Sequence, residues 1–176
     1  MGRIQDLQVG DLVLEPLEAR HADEIFEVLR DPELYRHIDE RAPQSVAQLR
    51  ERYARLETCA SPDGAEHWLN WVVRHGGLAI GYVQATVTPR RDAWIAFVFG
   101  QAYQGRGFAS RSTRGMMECL ARDFAVERFL ASVEEANAPS IRLLERLGFA
   151  PASAGESKDR SPTERLYVLF RSATQA

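Results

Sequence analysis

Two short stretches of this chain carry residue types whose spacing supports chemistry. The first is residues 98–114, V-F-G-Q-A-Y-Q-G-R-G-F-A-S-R-S-T-R. An apolar run ends near Phe99, a loop bearing Gly105 and Gly107 follows, and a helical pattern starts at once. Such a loop presents free backbone N–H groups at a helix N-terminus, a ready anion site. Glycine lets the backbone approach a phosphate with no Cβ in the way. Between Asp92 and Glu118 there is no acidic residue, whereas Arg106, Arg111 and Arg114 are present. The second stretch is N-A-P-S, Asn137 to Ser140. Asn137 is a natural helix N-cap, and Pro139 is tolerated in a first turn. Ser140, three residues on, shares the side of the helix entrance with Asn137. Both stretches also have a purely structural reading, as a glycine turn and an ordinary cap.

The rest of the chain narrows the chemistry. There is no G-x-x-x-x-G-K-[ST] string. A dinucleotide fingerprint would need a third glycine where Ser110 stands, and the strands before it read as antiparallel. Of the 22 Lys and Arg residues only Lys158 is lysine, in a polar loop over residues 154–162, so Schiff-base or P-loop lysine chemistry has one poor candidate. Cys59 and Cys119 form no C-x-x-C, and His21, His37, His67 and His75 show no H-x-x-x-H spacing. The formal charge is −3, which disfavours a nucleic-acid coat protein. No run of about 18 apolar residues exists and the first residues have no apolar leader pattern. The expectation is a cytoplasmic protein with no membrane and no nucleic-acid partner, and with no metal site.

Positioning these residues requires a fold. Residues 11–17 read as a short strand, 20–30 as a helix, 31–38 as a turn opening a second short helix, and 45–56 as a third helix. Residues 67–74, 78–88 and 93–99 are strand-like, with turns at Gly76-Gly77 and Pro89–Asp92, which predicts an antiparallel meander. A helix over 107–124, a strand over 127–134, a helix over 137–147 stopped by Gly148, and a last strand over 165–170 complete the order. That order predicts an α+β (mixed α/β) architecture, one domain over residues 1–176, with helices on the faces of a mostly antiparallel sheet.

The motif Q-G-R-G-F-A, Gln104 to Ala109, resembles the [QR]-x-x-G-x-[GA] acetyl-CoA loop of the GNAT N-acetyltransferase superfamily. The segment N-A-P-S-I-R-L-L-E-R-L-G-F, Asn137 to Phe149, is similar to the following helix of one branch, the RimJ/RimL-like acetyltransferases that act on N-terminal amines of ribosomal proteins. E-P-L-E-A-R-H-A-D and I-G-Y-V-Q-A are similar to the same branch. The likeness covers about residues 12–170.

The resemblance implies a GNAT-like fold, a twisted sheet of six to seven strands with a wedge where the family's fourth strand splays from its fifth. Phe97, Val98 and Phe99 would then line the wedge that receives the pantetheine arm. Gln104, Gly105, Arg106, Gly107, Phe108, Ala109 and Ser110 would bind the cofactor, the pyrophosphate sitting on the amides of Gly105 to Ala109, with Arg106 and Arg111 as candidate phosphate partners. Asn137 would approach the cofactor arm. The reaction implied is direct attack of an amine on the thioester of acetyl-CoA, with an amide near Val98 facing the developing oxyanion. The family tyrosine is replaced by Leu144, and Ser140 is the implied substitute. Gln101 stands where a loop proline is common.

The proton acceptor is left open by the sequence. The strand A-W-I-A-F-V-F has no carboxylate. Glu134 and Glu135 fall on opposite faces of their strand, and Glu135 is the reading preferred because Phe129, Ala131 and Val133 share its parity. His37 and Glu40 are rivals. The implied acceptor is a primary amine, a protein N-terminus or a small molecule, held by a wall over residues 19–56; the implied assembly is monomer or homodimer. A non-catalytic acyl-CoA-binding module on the same scaffold is the alternative.

Overall fold

The computed structural model describes residues 4–153 and 163–171. The polar loop 154–162 expected above, with Lys158, lies outside the described residues. The chain runs β1 (Leu7–Val9), β2 (Leu12–Pro16), α1 (His21–Leu29), α2 (Val46–Leu56), β3 (His67–His75), β4 (Leu78–Val87), β5 (Asp92–Phe99), α3 (Phe108–Asp123), β6 (Arg128–Glu134), α4 (Ala138–Arg146), β7 (Ala150–Pro151) and β8 (Glu164–Phe170). All eight strands join one sheet in the order β1-β2-β3-β4-β5-β6-β8-β7. The expected six to seven strands become eight because β1 and β7 have three and two residues, too few to show a period. The second short helix is a 3-10 turn, Pro32–Tyr35, capped where the Asp31 carboxylate accepts from the Glu33 N–H.

Alternation along the strands fills two layers. Leu69, Trp71 and Val73 of β3 and Val83 and Ala85 of β4 pack with α3 residues Met116 and Leu120 and with Leu144 of α4. Their neighbours Val72 and Tyr82 face the other way, onto Ile25 and Leu29 of α1 and Leu49 and Tyr53 of α2. The sheet therefore separates an α1/α2 face from an α3/α4 face. In α3, Phe108, Ser112, Met116 and Leu120 recur every four residues on the buried side. Helix α4 ends as its sequence predicts. Gly148 is left-handed (φ 97°), its N–H donates to Glu145, and the Phe149 N–H donates to Leu144.

The β3-β4-β5 meander is antiparallel throughout, and β6 pairs antiparallel with β8 along its whole length. The exception is the junction between the two halves. Strands β5 and β6 are parallel and pair at only three positions, Asp92 with Arg128, Ala93 with Phe129 and Trp94 with Leu130. Beyond these, β5 stays on β4 up to Phe99 and β6 stays on β8 up to Glu134, so the sheet parts. In the chain's own count the wedge lies between the fifth and sixth strands, since the β1–β2 hairpin adds one at the start.

Two features of β4 lie level with the open end. The register shifts at Val73/Arg74, leaving Ile80 as an extra residue whose carbonyl accepts from the Gly100 N–H. Gly81 sits opposite Phe99, and a Cβ there would collide with the Val98 carbonyl oxygen and lie 2.8 Å from the Phe99 ring. Gly81→Ala is expected to destabilise the fold by about 2 kcal/mol, a Tm fall of about 4–8 °C in a thermal melt, because a backbone carbonyl cannot rotate away as a side chain can.

Candidate functional site

The wedge opens into a cleft of about 440 Å³, within the range of small-molecule sites. It runs through the sheet. Leu34, His37 and Ile38 border it on the α1/α2 side, and the loop into α3 and the start of α4 border it on the other. Of the residues singled out above, Phe97, Val98, Phe99, Gln104, Gly105, Gly107, Phe108, Ala109, Ser110, Asn137 and Ser140 all line this space. Residues as far apart as His37 and Ser140 meet here only through the tertiary fold.

The strand edge follows from register. The Thr88 N–H donates to the Asp92 carbonyl (2.9 Å) and the Gly100 N–H to Ile80 (3.1 Å), so the even-numbered residues of β5 bond toward β4. Val98 is among them. The backbone groups that turn toward the parted β6 are those of Phe97 and Phe99, the Phe99 carbonyl being bonded by Gln104. This changes the expectation for the amide near Val98, since sequence parity alone does not say which neighbour a strand bonds. Gln104 Nε2 donates to the Phe99 carbonyl (3.0 Å), fixing the loop to that edge.

The glycine loop has the geometry of an anion cradle. Gly105 (φ 71°) and Gly107 (φ 78°) are both left-handed, and a Cβ on either would meet nothing within 4 Å. Gly107 is the N-cap of α3 without a side-chain cap. The first helical hydrogen bond is Arg111 N–H to the Gly107 carbonyl (3.0 Å), so the amides from Gly105 to Ser110 have no partner among the described residues.

The arginines divide. Arg106 does not line the cleft; it is exposed, with its guanidinium 4.8 Å from the centre of the Phe108 ring. Arg111 also stacks on Phe108, at 5.5 Å, and bonds Asp11 from the β1–β2 turn. Asp11 in turn meets His75 Nε2 at 3.0 Å. The hydrogen bond from Arg111 holds the Asp11 carboxyl below its ordinary range. The acid-free stretch thus gains an acid from a hundred residues away, which sequence-local charge counting misses. Arg114 is exposed on α3.

Asn137 caps α4, its Oδ1 accepting from the Ser140 N–H at 3.2 Å. Ser140 and the buried Leu144 follow along the cleft wall. Glu135 is not brought to the cleft. It follows the last residue of β6, and its carboxylate meets Arg165 Nε at 2.8 Å on the surface. By strand parity Glu135 belongs with Phe129, Ala131 and Val133 on the α3/α4 face, and Glu134 with the α1/α2 face. Glu40 is held by Arg52 at 3.0 Å. Glu134, on the α1/α2 side, meets His37 Nδ1 at 2.6 Å.

Other reactive groups are accounted for. Burial pushes the Cys119 thiol up to about 11, with Asp123 adding to the shift, so it is a poor nucleophile. Burial likewise raises Tyr35 to about 12, and raises Tyr53 of α2 and Tyr82 of β4, keeping all three phenols neutral. Among the described residues no group of His, Cys, Asp or Glu could hold a metal ion, and no helix is long and apolar enough to cross a membrane.

Comparison with known proteins agrees with this geometry. Residues 11–150 match the family model described as an acetyltransferase (GNAT) domain. An uncharacterized N-acetyltransferase p20 of Bacillus licheniformis is 25% identical over 148 residues, 83% of each chain. Among solved structures, the chain is similar to RimL, the ribosomal L7/L12 alpha-N-protein acetyltransferase, in complex with coenzyme A (TM-score 0.80, 18% identity, 94% of this chain and 98% of that one). It is also similar to Mycobacterium smegmatis RimJ in complex with CoA-disulfide (TM-score 0.78, 19% identity, 94% and 85% covered).

The cap gives a direct test of what Asn137 does for the fold. Asn137→Ala is expected to lower stability by about 1 kcal/mol in urea unfolding, while Asn137→Asp, which keeps an acceptor for the Ser140 amide, stays close to the parent.

Proposed function

The chain belongs to the GNAT acetyltransferase family, whose members use acetyl-CoA, and we propose that it transfers the acetyl group directly to a primary amine, either a protein N-terminus or a small-molecule amine. The observation that carries this reading is the juxtaposition of the unpaired β5 edge with the uncapped start of α3 in one cleft. The residues fit the cofactor. The amides from Gly105 to Ser110, which have no partner among the described residues, would hold the pyrophosphate. The backbone of Phe97 and the N–H of Phe99 would pair with the amide groups of the pantetheine arm, as a neighbouring strand would. Asn137 spends its Oδ1 on the cap, which leaves Nδ2 to donate to the arm.

When bound, acetyl-CoA supplies an activated thioester carbonyl. The chain's part is to aim and to polarise. A strand-edge N–H of Phe97 or Phe99 would face the carbonyl oxygen, where one such donor is worth about 10²–10³ in rate. Ser140 Oγ, on the first turn of α4 and bordering the same cleft, would donate a hydrogen bond to the departing sulfur. Its hydroxyl is a weak acid, so the effect is hydrogen bonding to the thiolate rather than full protonation. The ribosomal-protein enzymes among the structural neighbours support a protein N-terminus as acceptor.

Thiol release from acetyl-CoA with a panel of free-N-terminus peptides and small primary amines tests the reading. Ser140→Ala is expected to lower kcat about 10- to 100-fold with the coenzyme A Kd within about threefold, since the backbone cap from Asn137 survives. Gly107→Glu is expected to abolish coenzyme A binding in calorimetry while the far-ultraviolet circular dichroism is retained, because a carboxylate would occupy the anion cradle. No coenzyme A binding by the parent chain would refute the function.

A further inference from the structure

We propose that His37 is the group that takes the proton from the acceptor amine, and that Glu134 positions it. The proposal rests on the transferase reading above and adds the proton acceptor that neither the sequence nor the resemblance supplies. Among the described residues, five side chains with titratable groups border the cleft: Glu33, His37, Tyr103, Arg142 and Arg146. The two arginines stay charged. Tyr103 belongs to the loop that opens α3, beside Phe108 and on the cofactor side. Glu33 is held by Arg36 at 3.0 Å. His37 remains, on the acceptor side.

The geometry around His37 fixes its chemistry. Its Nδ1 lies 2.6 Å from Glu134 Oε2, and both side chains are partly sheltered, 28% and 36% exposed. An ionised carboxylate can only accept, so Nδ1 carries the hydrogen and the lone pair is left on Nε2. The contact joins residues 97 apart in the chain, one from the acceptor wall and one from the end of β6. Glu134 also anchors the other side of the site, because its backbone carbonyl accepts from the Asn137 N–H at 2.9 Å. One residue thereby sets the spacing between the base and the α4 entrance that carries Ser140.

The acceptor arrives as an ammonium, and Nε2 of His37 takes the proton that frees its lone pair. The nitrogen bonds to the acetyl carbon as the carbon–sulfur bond breaks. The sulfur ends with the second amine proton, relayed by solvent, and His37 returns its own proton to water. Glu134 keeps its charge and stabilises the imidazolium.

Three measurements on the full chain test this. Nitrogen-15 correlation spectra of the neutral imidazole should show His37 with hydrogen on Nδ1; hydrogen on Nε2 would overturn the proposal. His37→Ala should lower kcat about 100-fold with the coenzyme A Kd within about threefold, and added imidazole should restore part of the rate. Glu134→Gln should lower kcat about tenfold with little change in acceptor KM. Full kcat in His37→Ala, or a loss that imidazole does not touch and that appears equally in coenzyme A binding, would overturn the proposal. If the parent chain binds no coenzyme A, the transferase reading fails, whereas the tautomer measured on the same sample decides the dyad.

Discussion

The structure turns on a set of hydrogen bonds that β5 and β6 do not make. After Trp94 and Leu130 the two strands part inside an eight-stranded sheet, so a strand edge faces a cleft instead of a neighbour. A buried backbone group without a partner costs about 1–3 kcal/mol, so such an edge persists only where water or a ligand completes it. The rest of the molecule holds the gap at that width. The β4 bulge and Gly81 shape one bank, β8 holds β6 on the other, and Gln104 ties the loop to the Phe99 carbonyl.

The gap lies between two helix starts of different character. Helix α4 is capped by its own Asn137, and its entrance is a stable wall. Helix α3 begins with two left-handed glycines and no side-chain cap, so its amides remain directed at the cleft. Capping α3 internally would occupy the amides that the proposed pyrophosphate site uses. The contrast between the two entrances shows how a fold spends local stability where binding needs it. Charge follows the same division: Asp11 balances Arg111 beside the loop, while Arg106 stays exposed over Phe108.

On the acceptor side, most polar groups are tied to one another. Glu33 meets Arg36, Glu40 meets Arg52, and Tyr35, Tyr53 and Tyr82 are held neutral by burial. The Glu134–His37 contact is the one among these that spans from the acceptor wall to the sheet. It is a packing contact between distant segments and a proton-handling arrangement at once.

Much of this was legible in the chain. The 3.6-residue periods gave α1, α2, α3 and α4, the alternating runs gave the meander, and Gly148 and Asn137 marked the ends of α4. The Q-G-R-G-F-A motif located the loop that borders the cleft. These are local signals, set by neighbours within about one helical turn or one strand pair. What escaped was long-range or too short. Strands β1 and β7 had no period to show, and the 3-10 turn Pro32–Tyr35 read as a helix start because both begin with the same Asp-Pro cap.

By itself, the sequence determined which segments are helix or strand and where a helix begins without a side-chain cap. The tertiary structure alone decided which backbone groups of β5 are free, because the free set depends on which strand lies alongside and where pairing stops. It also decided that Glu135 turns to Arg165 while Glu134 meets His37, a choice that strand parity cannot make without knowing which face the cleft opens on. Local pattern fixes the alternation of side chains, but only the packed sheet assigns each face its partner.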